Sequence, residues 1–579
     1  MTMNAETRSC QNCQNRFTIE PEDFGFYEKV KVSPPTFCPE CRMRRRFSWR
    51  NERSLYKRTC DLCGKSIISI YNAQSPYKVY CHHCFRSDEW NPLDYGKDYD
   101  FSKPFFAQFT ELQKSVPRLY AMVTDCVDSE YVNGAYQDKN CYLIFASDRD
   151  EDSSYSHSIF YCKNVYDSLG VRYGELSAGC VDCEKISNSS YSQDCIDSYN
   201  LSLCKNCVSC HDCVGCANLR SKSYCIFNEQ LSKEEYQKKV ADMKLGSHAN
   251  FLAARDRAKK LQLSLPNKYY HGKNNVNSTG DYLVNTKNCH GVFDGQEMEN
   301  CKNLYVVNRV RDSYDGYAVV ENIELNLETI SSNSSSNKFG FCFWAGSYGD
   351  YCDTCENCHN VFGCTGLRDK QYCILNKQYS KEEYEALIPK IIQQMNDTPY
   401  IDKQGIEYRY GEFFPSEISP FAYNETIAQE FFPLTAEKAE AGNFRWFESE
   451  AKEKKATIAA SNLPEDVADA PETIPNEIIE CAHATKCNDQ CTMIFRILPG
   501  DYQFYKKMGI PLPRLCPNCR HQEQMKQRNP LKLWHRSCMC DKKTHSHGEG
   551  KCPNEFETSY APERPEIVYC EECYNAEVV

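Results

Sequence analysis

The chain reads as mainly β, with a central parallel β-solenoid and short capping helices, flanked by two copies of one cysteine module. Three observations predict this. First, the module stands at both ends in nearly the same register. Cys10-x2-Cys13, Phe26-Tyr27, Pro35, Cys38-Pro39-Glu40-Cys41-Arg42, Arg50-Asn51 and Thr59-Cys60 return as Cys487-x3-Cys491, Phe504-Tyr505, Pro513, Cys516-Pro517-Asn518-Cys519-Arg520, Arg528-Asn529 and Ser537-Cys538. Between Tyr27 and Cys60 every matched position lies 478 residues from its copy, and the modules close alike, Val79-Tyr80-Cys81-x2-Cys84 against Val568-Tyr569-Cys570-x2-Cys573. Second, Cys141, Cys162, Cys183, Cys204 and Cys225 are each 21 residues apart, and Lys139-Asn140-Cys141, Lys205-Asn206-Cys207 and Lys287-Asn288-Cys289 repeat one phrase. Third, the middle is itself doubled. Gly215-Cys216, Tyr224-Cys225-Ile226-Phe227-Asn228 and Ser232-x3-Tyr236 return as Gly363-Cys364, Tyr372-Cys373-Ile374-Leu375-Asn376 and Ser380-x3-Tyr384.

The elements follow in order. Residues 1–90 are the first module, and 91–120 a linker with a short helix after Pro104. Residues 121–397 are the Cys- and Tyr-rich repeat in two halves, 121–245 and 280–397. Its stretches are short, β-leaning and broken by Asn, Asp, Gly and Ser, and a fixed period signals stacked repeats. A rung of about 21 residues is expected, with like positions stacked, so that Cys141, Cys162, Cys183 and Cys204 form one column. Ser232 with Glu235, and Ser380 with Glu383, are capping boxes that start a helix at the end of each half. Residues 398–480 are a connector whose stretch 448–476 reads as exposed or flexible. Residues 481–579 are the second module.

At 579 residues the chain exceeds a single core. Thirty-eight cysteines leave a secreted disulfide scaffold or an intracellular metal protein. The first 20 residues hold no apolar run, and no stretch of about 18 apolar residues exists, so neither a secretory leader nor a membrane span is expected. The reading is a cytoplasmic metal protein. The net charge of −12 argues against nucleic acid as partner of the whole molecule, but not against a local basic site.

Zinc takes four soft ligands in a tetrahedron, and Cys-x2-Cys supplies two thiolates from one turn. Cys10, Cys13, Cys38 and Cys41 form one set; Cys60, Cys63, Cys81 and Cys84 form a second. The distal copies give Cys487, Cys491, Cys516 and Cys519, then Cys538, Cys540, Cys570 and Cys573. They are less regular, and Cys481, His545, His547 and Cys552 stand near as replacement ligands. About four zinc ions per chain are expected, two in each module. Four thiolates leave no open coordination position, which speaks against catalysis at the metal. The run Cys204, Cys207, Cys210, Cys213, Cys216 steps every three residues, as do Cys352, Cys355 and Cys358. It fits stacked interior cysteines, further zinc, or an iron–sulfur cluster.

Basic segments follow the second cysteine pair of each module. Arg42, Arg44, Arg45, Arg46, Trp49, Arg50 and Arg53 in the first, with Arg520 and Arg528 in the second, mix guanidinium and aromatic groups as phosphate contact and base stacking require. The same residues would also serve as a solvated helix face, or as arginines docked on an acidic solenoid. No nucleotide loop, nucleophile elbow or zinc-protease helix is present, and no catalytic residue is named.

The pattern Cys10-x2-Cys13-x3-Phe17, Phe26-Tyr27, Cys38-Pro39-x-Cys41-Arg42, and its copy at Cys491, Phe495, Phe504, Tyr505, Cys516, Pro517, Cys519 and Arg520, resembles the probable zinc-ribbon family of short bacterial proteins. The whole arrangement looks like a set of long, cysteine-rich, uncharacterised zinc-ribbon proteins of candidate-phyla bacteria. The resemblance implies zinc and this domain order, and brings no activity with it. Three functional readings follow. The first is a non-enzymatic scaffold whose ribbons contact nucleic acid, most naturally RNA. The second is a protein-interaction scaffold with purely structural zinc. The third is an iron–sulfur or carbohydrate-acting enzyme.

Overall fold

The structure is a computed structural model describing residues 4–448, 455–484, 487 and 490–578. It is mainly β, with parallel sheets through its middle and twelve α-helices among the described residues. None of those helices is long and apolar enough to cross a membrane.

The middle is built on a three-residue step. Cys141, Ile144, Ser147, Asp150, Ser153, Ser156, Ile159, Cys162, Val165 and Ser168 are all buried, at every third position. The residue before each has a positive φ near 50°, among them Asn140, Leu143, Asp152, Tyr155, Asn164 and Asp167. A left-handed residue costs about 1–2 kcal/mol unless it is Gly, Asn or Asp. That preference explains the recurring Asn-Cys phrase, in which Asn makes the corner and Cys points inward. The corners are also tied side chain to side chain. Asn288 bonds Asn300 at 3.2 Å and Asn300 bonds Asp312 at 2.9 Å.

Parallel pairing runs from each residue to the one twelve further on, as in Lys163↔Glu175, Glu175↔Ser187, Tyr199↔His211 and His211↔Ser223. The second half repeats this with Cys289↔Cys301 and Leu304↔Gly316, broken by a turn of 13 at Tyr314↔Leu327 and of 11 at Ile330↔Phe341. The regular turn is therefore 12 residues, not 21. A 21-residue spacing is a whole number of three-residue steps, so it keeps cysteines inward, but it is not a whole number of turns. Cys141, Cys162, Cys183 and Cys204 fall on different sides. The stacked cysteines are those twelve apart, such as Cys213↔Cys225, and Cys183 beneath Cys195, whose backbone N–H points at the Cys183 Sγ at 3.5 Å.

Each half closes in the same way. The last strand folds back in an antiparallel pair, Ser223–Ile226 with Glu229–Gln230 and Gln371–Ile374 with Lys377–Gln378. A capped helix follows, Lys233–Met243 or Lys381–Asp397, started by the Ser232/Glu235 and Ser380/Glu383 boxes. The turned-back strand occupies a sheet edge that would otherwise present unpaired groups. The helix Phe105–Ser115 begins directly after Pro104.

The connector differs from its expectation. In the stretch 448–476, residues 449–454 lie outside the described residues. In the rest, Ala460 is buried, and Leu463, Val467, Ala470 and Ile474 are buried in one cluster with Tyr502, Phe504 and Tyr505 of the second module. A sequence rich in Ala, Glu and Pro conceals such spaced anchors.

Candidate metal centres and the docking of the modules

Each cysteine tetrad is assembled from a β-hairpin turn and a helix start. The hairpins pair Glu6–Ser9 with Arg16–Ile19 and Tyr56–Thr59 with Ser66–Ser69 in the first module. In the second they pair Ile479–Glu480 with Ile494–Phe495 and Trp534–Ser537 with Glu555–Thr558. The other two thiols come from helix starts. Cys38 precedes Pro39–Phe47, Cys81 precedes His82–Arg86, Cys516 precedes Pro517–Met525 and Cys570 precedes Glu571–Val578. A helix start offers unpaired N–H groups and a positive dipole end, which favour a thiolate.

Four sets bring four sulfurs within 4.8 Å of one another: Cys10, Cys13, Cys38, Cys41; Cys60, Cys63, Cys81, Cys84; Cys481, Cys491, Cys516, Cys519; and Cys538, Cys552, Cys570, Cys573. Sulfur pairs stand at 3.7 Å (Cys13–Cys38), 4.0 Å (Cys63–Cys81), 3.9 Å (Cys491–Cys516) and 3.8 Å (Cys552–Cys570). A tetrahedron of zinc–sulfur bonds of about 2.3 Å has edges of about 3.8 Å. The cysteines are free, not bridged to each other. The sets can hold metal, and their all-sulfur chemistry fits zinc; the same donors also suit iron–sulfur.

The first eight cysteines gather in the two sets that the spacing groups together, and in the distal two sets Cys481 and Cys552 stand with the expected cysteines in place of Cys487 and Cys540. Cys481, not Cys487, holds the place of Cys10: Gln11 N–H bonds Thr36 O at one end of the chain, and Ala482 N–H bonds Arg514 O at the other. Cys552, not Cys540, holds the place of Cys63. The reason is turn length. The turns hold residues 10–15 and 60–65 in the first module but 481–493 and 538–554 in the second. In a lengthened turn the cysteine at Cys-x2-Cys-like spacing lies inside the loop, and the one at the base of the turn takes its place in the set. Cys487 stands beside the third set, its Sγ 3.7 Å from that of Cys519.

The environment tunes these thiols. Burial works against ionising Cys60, yet the N–H groups of Cys63 and Cys81 point at it and bring its pKa down to about 7. Cys38 goes the other way, up to about 11, because its thiol is bonded to Cys10. Within the first set, bonding among the thiols lowers Cys10 and raises Cys38 and Cys41, so the three do not ionise alike.

The proposed nucleic-acid residues are engaged inside the molecule. Arg42 and Arg46 both bond Asp315, at 2.9 and 3.3 Å. Arg45 and Arg46 share Glu328, each at 3.1 Å, and Arg45 reaches Glu412 at 3.0 Å. Trp49 is 0% exposed and stacks on Phe414 at 4.6 Å. Arg50 bonds Glu52 at 3.1 Å, and Arg53 lies 4.0 Å from Glu430. Arg520 bonds Asp167 at 2.6 Å and Arg528 bonds Asp182 at 2.8 Å. Arg44 keeps partial exposure, 3.4 Å from Glu40. Of the three uses open to these arginines, the structure displays docking on the acidic middle of the chain.

The docking is duplicated and crossed. Phe26 of the first module stacks on Tyr314 at 3.9 Å, next to Arg42 on Asp315. Phe504 of the second module stacks on Tyr166 at 3.9 Å, next to Arg520 on Asp167. So the first hairpin-and-helix unit of module one sits on the second half, and that of module two sits on the first half. The second unit of each module pairs with the segment just before a half, Val79–Tyr80 with Arg118–Leu119 and Ile567–Tyr569 with Pro266–Lys268. In the second module Arg528 reaches Asp182 of the first half at 2.8 Å and lies 3.8 Å from Asp294 of the second, so this module touches both halves. Glu52 makes the bridge directly, with His157 at 2.6 Å and Tyr317 at 2.7 Å. Burial alone would raise Glu52; His157 and Arg50 hold it far below the usual carboxylate range.

A cavity of about 420 Å³ opens between the second module, the connector and the second half, with Asp281, Asp294, Glu430 and Arg528 on its wall. Its charged groups are already paired, Asp281 with His271 and Glu430 with His521.

No protein-family model and no curated protein matches the chain. A solved structure described as a “putative acetyltransferase” from Desulfovibrio desulfuricans G20 aligns with 49% of this chain and 87% of that one, at 10% identity and a TM-score of 0.10, a likeness too weak to carry any argument.

Proposed function

We propose that this chain is a non-enzymatic, zinc-stapled scaffold: a β-solenoid in two halves, over residues 121–397, clamped by zinc-ribbon modules at 1–90 and 481–579 and presenting its outer face to a protein partner. The observation that carries this is the fate of the guanidiniums. Arg42, Arg45 and Arg46 are buried against Asp315, Glu328 and Glu412, and Arg520 and Arg528 are mostly covered against Asp167 and Asp182. An arginine held by a buried carboxylate cannot also neutralise phosphate without leaving that carboxylate unpaired, at a cost of about 3–5 kcal/mol. Nucleic-acid contact through these residues would have to open the clamp.

The protein-facing surface is supported by exposed aromatics on the first half. Tyr136, Tyr161 and Tyr173 are 40–51% exposed. Tyr161 stacks on Tyr173 at 5.3 Å, and the Arg149 guanidinium lies over both Tyr136 and Tyr161. Tyrosine and arginine on a rigid face are the residues that dominate protein interfaces.

The test is fluorescence anisotropy with single- and double-stranded RNA and DNA at 50 mM salt, beside elemental analysis of the same protein. The expected result is about four or more zinc ions per chain and no binding. A salt-sensitive complex that weakens when Arg45 and Arg46 become Ala would return the case to RNA. Iron with absorbance near 400 nm would favour the iron–sulfur reading.

A further inference from the structure

The lengthened turn of the last hairpin carries ligands that the four tetrads do not use. Residues 538–554 replace a turn that is only 60–65 in the first module, and the added segment is Asp541-Lys-Lys-Thr-His545-Ser-His547-Gly-Glu-Gly-Lys551. It contains no large apolar residue. Most of it does lie in water, yet Cys540 just before it is 0% exposed and the His545 side chain within it only 6% exposed.

Both imidazoles turn toward one sulfur. His545 Nδ1 is 3.1 Å from Cys540 Sγ, and His547 Nε2 is 3.5 Å from it. Cys540, His545, His547 and Cys573 bring four ligand atoms within 4.8 Å of one another. Bonds of about 2.0–2.3 Å from a tetrahedral zinc put its ligands about 3.3–3.8 Å apart, so this spacing suits one ion. The far nitrogen of His545 lies 3.6 Å from Glu577, the carboxylate partner that orients a metal-bound imidazole through its other nitrogen. The Nδ1 atom of His547 is buried without a hydrogen bond.

We propose that this is a fifth metal site, binding zinc through Cys540, His545, His547 and Cys573, with the Cys573 thiolate bridging to the zinc of the Cys538, Cys552, Cys570, Cys573 set. The inference rests on reading the tetrads as zinc staples. Cys573 belongs to both groups, and a thiolate has lone pairs for two cations. Binding expels the thiol protons to solvent. Two Zn²⁺ against five thiolates and two neutral imidazoles leave one net negative charge. A tetrathiolate zinc alone carries two. The second ion thus relieves charge at the first and fastens a loop that has no core of its own.

The experiment compares zinc per full-length chain, by inductively coupled plasma mass spectrometry, in the native protein and in H545Q/H547Q and C540S. Both variants keep all four cysteines of the adjoining tetrad, so the module retains its own staple. Five ions falling to four in each variant is the expected result. An unchanged count in both overturns the site. The bridge is read separately in cobalt-substituted protein. Two cobalt ions sharing a thiolate are magnetically coupled, and the coupling should vanish in H545Q/H547Q; an uncoupled pair in the native chain refutes the shared Cys573. Four ions in native and variant proteins alike would remove only this site and leave the staples standing, whereas a native chain without zinc would remove the staples themselves.

Discussion

The terminal modules and the middle of the chain use the same residue for opposite ends. In the modules, cysteines gather four at a time around a common point, with N–H groups of Cys81, Cys516 and Cys570 aimed at the sulfurs of Cys60, Cys481 and Cys538. In the middle, sulfurs such as Cys183 also accept an N–H from the next turn, but their thiols lie within reach of carbonyls along their own turn instead of gathering around one point. Cys183 reaches Val181 O at 3.4 Å and Ser192 O at 3.5 Å; Cys204 reaches Ser202 O and Cys213 O, both at 3.4 Å. Serine does the same work at equivalent positions, Ser156 bonding Ser154 O and Val165 O. Burial pushes Cys183 and Cys195 well above the ordinary thiol range. A cysteine thus packs along the turns in one region and gathers in sets of four that could hold a metal in the other. Its spacing alone does not say which.

The sharpest way to break this contrast is at a ligand. Cys38→Ser should cost the first module most of a structural zinc's contribution, about 10–16 kcal/mol. The expected outcome is loss of one zinc and rapid proteolysis within 1–90, with 121–397 protected. A module that keeps its zinc and its protection would place Cys38 with the packing cysteines.

Next in size is the clamp between the regions. Asp315 is 0% exposed and holds both Arg42 and Arg46. Asp315→Ala should destabilise by about 3–5 kcal/mol, read from the urea midpoint, because two guanidiniums lose their partner. Asp167→Ala, at the equivalent place under Arg520, should act alike; an effect at only one site would show that the two docks are not equivalent.

A packing cysteine should be forgiving. Cys195→Ser keeps a donor for Gln193 O, now 3.3 Å from the sulfur, and should change stability by about 1 kcal/mol or less with no change in zinc. A lost metal ion in this variant would make the middle a metal region after all.

The smallest effect is one of pH. His271 lies between Asp281 of the second half, at 2.9 Å, and Asp194 of the first, at 3.7 Å. Burial lowers its pKa, but the two carboxylates outweigh it and raise it to about 9. A folded-state pKa raised above the unfolded value of about 6.5 gives stability that is complete below pH 6.5 and fades as pH rises through 9. The urea midpoint should fall over that window, and H271Q should flatten the slope. An equal slope in H271Q would assign it elsewhere.

The residues alone determined the module, its matched register and most of the cysteines in its sets of four, because a metal tetrad needs fixed residue types at fixed short spacings. They also determined the two helix caps, which are local bonds between Ser232 and Glu235 and between Ser380 and Glu383. The inward stripe was legible as recurrent cysteine and asparagine. Its turn of 12 was not, since inwardness repeats every three residues and any multiple of three satisfies the sequence. Only pairing between neighbouring turns selects one multiple. The choice of Cys481 and Cys552 likewise waits on hairpin register. So does the fate of the arginines. A guanidinium beside aromatics looks the same along the chain whether it faces phosphate or carboxylate. Asp315 lies 273 residues from Arg42, and Asp167 lies 353 from Arg520. Charges that far apart in sequence meet only when the two modules fold back across the halves, so tertiary structure alone decided that these arginines close the molecule on itself.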